Sequence, residues 1–524
     1  MRRDRPVDLF QAEKVAVRNL FIPRIHLKES ELGQGLKMYV RDGVFSTGMA
    51  TLQGGVYLTA FALALGASQK QIGLIASIAF LSQLMQLPGL YLVSRFPRRK
   101  LITVLSASLS RLCWLPIILL PFFRDGGVSF LLAFLFIAAM IGALPGPAWN
   151  SLQRDLLPLE RLGSINSRRI LLSTVVAMVF TLSGGYFVDW WESAFPSGEL
   201  FSYSLLFGLG LLMGLTGIMF ILQIPEPLST AKKVPLGELL STPVKDKNFR
   251  TLLVFLSVWN FAVNMSAPFF LVFMLNRIGL SLFMVTILVV VSQLSNIFFL
   301  KIWGRLADRF SNKSVLAVSG PLFLVIVLLW TFTTQPEPHR FTLVLLFIIH
   351  FLNGIAVSGV SIGTANIALK LSPRDQAHGY MTVVGLNSSL VGTLAPLAGG
   401  FLADYFMRFH LEFPLVLTVD ATTYSLPILS IKGLEFLFLL TFLIGLYAIH
   451  RLALIREVGE AGKQKVIDEL TESIVLPLKS LSVMQGIQRI AIMPISGMMH
   501  LAGRVMPRKN RAGMDTDKAG SRKS

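Results

Sequence analysis

Arg111 sits in the middle of an apolar run, in Ser106-Ala107-Ser108-Leu109-Ser110-Arg111-Leu112-Cys113-Trp114. A guanidinium in such surroundings can grip a carboxylate or phosphate through paired N–H donors. It can equally snorkel to an interface or bond neighbouring helix carbonyls. His350, in Phe347-Ile348-Ile349-His350-Phe351-Leu352-Asn353, is the one histidine in the middle of such a run. Its titration range suits proton transfer, and a structural hydrogen bond is the competing use. Amides are more numerous: Gln53, Gln83, Gln86, Asn260, Asn264, Gln293, Asn296, Asn353 and Asn387. Asn260 and Asn264 lie one helical turn apart, and Gln83/Gln86 and Gln293/Asn296 nearly so, which puts each pair on one face. Such faces line a polar path or bond helix to helix. Carboxylates are missing from the run centres, since Asp42, Asp189, Asp404 and Glu435 all fall near ends. Coupling through a deep carboxylate is therefore not expected.

The elements that hold these residues are long and apolar. The chain has 524 residues, 53% hydrophobic and 15% charged, with a mean hydropathy of +0.65. Soluble domains carry about 25% charged residues, so an ordinary soluble enzyme is excluded. About twelve windows reach the ~20 apolar residues that a spanning helix needs. Their cores are 44–65, 72–93, 101–123, 130–152, 170–189, 201–224, 252–276, 282–304, 315–334, 341–369, 380–406 and 434–455. The stretch 225–250, with four prolines and mixed charges, divides them into two groups of six. The expected organisation is an N-terminal segment 1–40, a six-helix bundle 41–224, a linker 225–250, a second bundle 251–456 and a basic tail 457–524. Within the tail, 466–470, 474–478 and 487–499 read as interfacial helices and 508–524, rich in Lys, Arg, Gly and Ser, as a disordered basic end.

The net charge of +19 in a soluble protein would suggest nucleic acid. Here it encodes sidedness. If both termini are cytoplasmic, all but seven of the 48 Lys and Arg fall on that side, as the positive-inside rule requires. The N-terminus carries no apolar core of a signal peptide, and a cell (inner or plasma) membrane location follows. Cys113 is the only cysteine, which excludes an intrachain disulfide. No ATP-binding loop, metal pair or hydrolase elbow stands out, so neither a cofactor, a metal nor an enzymatic activity is expected.

The sequence repeats itself at a shift of about 215 residues. Gly184-Gly185-Tyr186-Phe187-Val188-Asp189 matches Gly399-Gly400-Phe401-Leu402-Ala403-Asp404; Pro158-Leu159-Glu160-Arg161 matches Pro373-Arg374-Asp375-Gln376; Leu65 to Ser68 matches Ile278 to Ser281. A six-helix repeat relates two parallel halves, with the substrate expected between them.

After the eighth window the chain reads Gly304-Arg305-Leu306-Ala307-Asp308-Arg309-Phe310-Ser311-Asn312-Lys313. This resembles the signature loop of the major facilitator superfamily, Gly-x-x-x-Asp-Arg-x-Gly-Arg-Lys, with Ser311 and Asn312 departing from it. Gly392-x-x-x-Pro396-x-x-Gly399-Gly400 extends the resemblance, which covers about Lys37 to Arg456. It implies an all-α membrane protein with twelve transmembrane helices in two six-helix pseudo-repeats. It also implies that Asp308 meets the inner end of the fifth helix, near Arg168 and Arg169, when that side closes; the alternative is an Asp that caps its own turn. The first half departs at the matching turn, with Ser94 in place of the Asp and Pro97 in place of the Gly, although Arg95, Arg98, Arg99 and Lys100 keep the positive run. The expected function is secondary-active or facilitative transport of a small solute by alternating access, with Arg111 leaning the substrate toward one that bears an anionic group. A lipid or lysolipid flippase of the same fold, or a non-transporting scaffold or receptor, is the alternative. The expected partners are a small-molecule substrate and membrane lipid, anionic at the tail, with no nucleic acid and a monomeric chain.

Overall fold

A computed structural model describes residues 21–471 except 25–26, 97, 124–126, 229–235, 336–337, 374–375, 420–421, 458–461 and 463. The Arg374-Asp375 part of the repeat, Pro97, and the tail segments 474–478, 487–499 and 508–524 lie outside the described residues. Among the described residues, eleven helices are long and apolar enough to cross a membrane. In chain order they are spans two to six (Gln69–Arg95, Arg99–Phe122, Val128–Leu156, Leu162–Ala194, Pro196–Gln223) and seven to twelve (Lys247–Ile278, Leu282–Arg309, Asn312–Thr334, Thr342–Lys370, Gly379–Phe406, Leu434–Ala453). The first window is a broken helix, Glu29–Gln53 followed by Gly55–Ala64. The break is glycine's doing: Gly54 is extended and Gly55 has φ of 52°, a region other residues avoid. With this first span the count reaches twelve.

The first helix begins at Glu29, well before the expected bundle boundary at 41. Asp42 is consequently more than three turns inside it and only 3% exposed. The expectation that no carboxylate lies deep in a span is corrected on this point. Hydropathy windows missed it because the polar residues from Glu29 to Asp42 depress the average while the helix runs on.

The repeat is visible in the packing. Span one packs on spans five and six, and span seven on spans eleven and twelve. The two bundles meet where span two lies against span eleven and span five against span eight. Each bundle also carries a carboxylate just after its last helix that caps the bundle's own third helix. Glu226 accepts the Arg99 amide at 2.7 Å, and Glu457 accepts the Asn312 and Lys313 amides at 3.2 and 2.7 Å. Carboxylates are favoured at helix N-termini, where N–H groups lack partners. Burial pushes the Glu226 carboxyl above its usual range, against the lowering effect of the Arg99 amide and guanidinium.

One element departs from an all-helical chain. Between spans eleven and twelve, β1 (His410–Val419) and β2 (Thr422–Lys432) form an antiparallel hairpin with an irregularity between Phe413 and Pro414. Its base is tied to the second bundle: Gln335 donates to the Ser430 carbonyl at 2.7 Å, and the Lys432 amide to Glu435 at 2.8 Å. The hairpin marks one end of the molecule, the hairpin end; the other, where the described chain enters and the 225–250 linker lies, is the terminal end.

Candidate solute cavity between the two bundles

The polar centre of the first bundle is built on span one. Asp42 accepts the Ser46 hydroxyl at 3.0 Å, and Ser46 in turn accepts Nη2 of Arg111 at 3.3 Å. Nη1 of Arg111 donates to the Gly214 carbonyl of span six. Glycine makes that possible, because a Cβ at Gly214 would lie 3.1 Å from the Arg111 side chain, and one at Gly217 would lie 3.3 Å from Asp42. Arg111 is 7% exposed and committed to these partners. It is a buried cation and does not line the cavity described next.

Arg169 of span five faces Asp42 from the other side, with Nη2 3.9 Å from Oδ2. Its guanidinium lies over the Tyr39 ring at 4.4 Å and donates one hydrogen bond, from Nη1 to the Tyr39 hydroxyl at 2.9 Å. It crosses span one at Gly43, where any Cβ would collide with Nε. Span five starts at Leu162, so Arg169 is two turns inside a helix whose apolar core begins only at Ile170.

Arg169 borders a cavity of about 650 Å³ between the bundles. The first bundle contributes Thr47, Ser173, Thr174 and Ala177; the second contributes Ser292, Gln293, Asn296 and Val357, with Ile170 and Ile297 at the edge. This volume is in the range of small-ligand sites. Gln293 and Asn296 are the two sequence candidates among the residues that line this cavity.

The other sequence candidates are placed differently. Gln53 donates to the Phe207 carbonyl and is buried. Gln86 bonds Gln83, Asn264 bonds the carbonyl of Asn260, Asn353 bonds Ser292, and Asn387 accepts from Ser257. His350 is buried, with Nδ1 2.9 Å from the Leu346 carbonyl and its ring against Trp330. Arg169, Ser173 and Thr47 were not among the sequence candidates. The signal that could have found Arg169 was the 33-residue reach of span five, readable from the absence of proline between Leu162 and Ala194.

The cavity is closed toward the hairpin end. The repeated Gly-Gly-x-x-x-Asp motif does this twice. Gly185 leaves room for Thr286 and Phe283 of span eight, and Asp189 then accepts the Leu282 and Phe283 amides at 3.1 and 3.0 Å. In the second bundle, Gly400 approaches Gln69 and Lys70, and Asp404 accepts the Gln69 and Lys70 amides at 3.2 and 3.4 Å. Gly73 of span two packs directly on the carbonyl of Pro396. The remaining two glycines act within bundles: Gly184 seats Tyr57, and Gly399 meets the Met265 carbonyl.

At the terminal end the signature-loop residues are apart. Asp308, Arg309, Ser94 and Arg95 are all exposed. Asp308 forms no hydrogen bond or ion pair among the described residues, and Ser94 bonds only the Tyr91 carbonyl of its own turn. A Cβ at Gly304 would touch only Ile362, at 3.9 Å, so close approach there is not used in this conformation.

Two six-helix bundles, joined at the hairpin end by two aspartate caps and lining a polar cavity between them, form the architecture of a membrane transporter. The profile of the Major Facilitator Superfamily matches residues 43–396 and, in an overlapping second match, 254–506; the chain belongs to that superfamily. No curated protein sequence matches it significantly. Among solved structures it is similar to the nucleoside transporter NupG, with a TM-score of 0.58 at 13% identity, covering 82% of this chain and 99% of that one. A bacterial homolog of the human lysosomal transporter Spinster, in an inward-facing and unoccupied conformation, gives 0.55 at 17% identity over 84% and 98%. A bacterial homologue of the iron transporter ferroportin, also inward-facing, gives 0.55 at 12% identity over 82% and 99%. At these identities the likeness is one of fold.

Proposed function

We propose that this protein moves a small solute bearing an anionic group across the cell membrane by alternating access. The observation that supports the reading most is the pairing of a hairpin end held shut by two carboxylate caps with a polar cavity that carries an incompletely bonded arginine. The Lys and Arg distribution assigns the terminal end to the cytoplasm, so the conformation described is inward-facing. The anionic preference, which the sequence attached to Arg111, we attach to Arg169, because Arg111 is buried against Gly214 and Ser46 and does not line the cavity, whereas Arg169 does.

Ile170 and Ile297, 65% and 49% exposed at the cavity edge, favour one second reading, in which an acyl chain lies across them and a headgroup occupies the cavity. Counterflow in proteoliposomes, run with organic anions and with a fluorescent lysolipid, separates the two. Saturable counterflow of a soluble anion is the expected result. Lysolipid movement without anion counterflow would establish the second reading, and no flux of either would remove both.

A further inference from the structure

Arg169 is an arginine whose bonding is unfinished. Guanidinium groups carry five N–H donors. Here one is used, toward the Tyr39 hydroxyl, and the Asp42 carboxylate stands 3.9 Å away, beyond hydrogen-bond distance. The group is nevertheless fixed in place by the Tyr39 ring beneath it and by the bare backbone of Gly43. Across the cavity, the side chains of Gln293 and Asn296 make no hydrogen bond with the described residues, nor does the Ser173 hydroxyl beside Arg169. A seated guanidinium with free donors, opposed by two free carboxamides, is a built receptor for a ligand with a charged oxygen-bearing group at one end and neutral hydrogen-bonding groups at the other.

The surroundings also set the charge of that ligand. Arg111 and Arg169 flank the single carboxylate of Asp42, through Ser46 on one side and directly on the other. The three side chains carry a net charge of +1, with Asp42 and Arg111 buried and Arg169 a quarter exposed at the cavity. Uncompensated buried charge is costly, and one negative charge completes the cluster whereas two overshoot it.

We infer that the cavity takes an organic monoanion, a monocarboxylate with hydroxyl or amide groups, gripped by Arg169 and oriented by Gln293 and Asn296, and that Asp42 sets the preference for one charge over two. This rests on the transport reading above and deepens it by naming the substrate class. Carboxylates fit better than phosphate monoesters, whose charge at neutral pH is about −1.5 to −2.

The test is binding to the purified full chain in lipid nanodiscs, read by calorimetry and thermal stabilisation. The probes are small hydroxy-monocarboxylates of two to eight carbons, each paired with its neutral alcohol or amide and its dicarboxylate of the same skeleton. At least one monocarboxylate should bind about tenfold or more tighter than both its counterparts, as loss of a charge-assisted bond implies. Gly43→Ala keeps every charge but unseats the guanidinium, and should weaken that monocarboxylate severalfold while leaving the neutral counterpart unchanged. Asp42→Asn raises the wall to +2 and should narrow or reverse the gap between monocarboxylate and dicarboxylate. Arg169→Gln should abolish the preference, and the Asp42→Asn/Arg169→Gln pair, which leaves no unmatched carboxylate, controls for folding. If neutral solutes bind as tightly as every monocarboxylate, or if Gly43→Ala and Asp42→Asn leave the ranking intact, the inference is wrong. In that case saturable flux of a neutral solute still upholds the transporter; absence of flux for all probes overturns that reading instead.

Discussion

The two ends of this molecule differ in how their aspartates are used: the hairpin end shows aspartates accepting the N-terminal amides of a helix in the other bundle, and the terminal end has one aspartate that the family resemblance assigns to the same device. At the hairpin end both copies are present and engaged: Asp189 on span eight and Asp404 on span two, each accepting two amides. At the terminal end only Asp308 exists, since Ser94 stands at the matching turn, and Asp308 is in solvent. Two engaged caps against one latent cap tilt the balance toward the conformation that is shut at the hairpin end. The energies are individually small, about 1 kcal/mol for a carboxylate at a helix N-terminus, but a rocking equilibrium needs little to move it. A difference of 1–2 kcal/mol is roughly a 5- to 30-fold change in population.

The comparison is broken most severely by filling the glycine contacts that let the caps reach their helices. A Gly73→Val/Gly185→Val chain places side chains against the Pro396 carbonyl and against Thr286 and Phe283. Overpacking costs about 1–3 kcal/mol at each site, so the hairpin end should open in most molecules and counterflow should fall by more than about 30-fold. Spin-label distances across that end, in a background lacking Cys113, would report it; unchanged distances would show that the contacts are not required. Next in size is Asp189→Asn/Asp404→Asn, which keeps the packing and removes two charges. A shift of about 2 kcal/mol is expected, with either single variant giving about half, because the two sites are far apart and additive.

The single Asp308→Asn change probes the other end. Since Asp308 has no partner here, protein stability should be unaffected and the populations should move a fewfold further toward the present conformation. Smallest of all is Ser94→Asp, which supplies the missing second copy. It should shift the populations fewfold in the opposite direction, and a null result in the same distance measurement would mean that the turn lacks the geometry to reach its helix.

Much of this was legible in the sequence, and the boundary of legibility has a physical cause. Twelve spans, two halves and the paired Gly-Gly-x-x-x-Asp motifs follow from apolar length and repetition, because the bilayer imposes the first and duplication leaves the second. What Asp189 and Asp404 touch was not legible, since the partners are amides more than ninety residues away in one case and more than three hundred in the other. Arg169 and Asp42 were misplaced for a common reason. Both lie in polar turns of long helices, where an apolar-window reading ends before the helix does. Arg111, conspicuous within its apolar run, bonds the Gly214 carbonyl and Ser46, the alternative its sequence setting already offered, whereas Arg169, which borders the cavity, lies just before an apolar window and was not singled out. The hairpin had a signal in the alternation of Leu411, Phe413 and Leu415 within the stretch 407–433 between the last two windows, but no strand was expected there.

That hairpin breaks the twofold character of the molecule, as the first bundle has no counterpart among the described residues. Ten paired positions at about 3.3 Å each give it a length of about 33 Å, and its base is bolted to the second bundle through Ser430 and Lys432. It therefore works as a pointer on a rocking body. If the bundle turns by an angle like the roughly 15° of other rigid-body switches, the far end sweeps about 9 Å, several times the displacement at the helix contacts themselves. A dye placed there would magnify each transport cycle into a signal readable on single molecules.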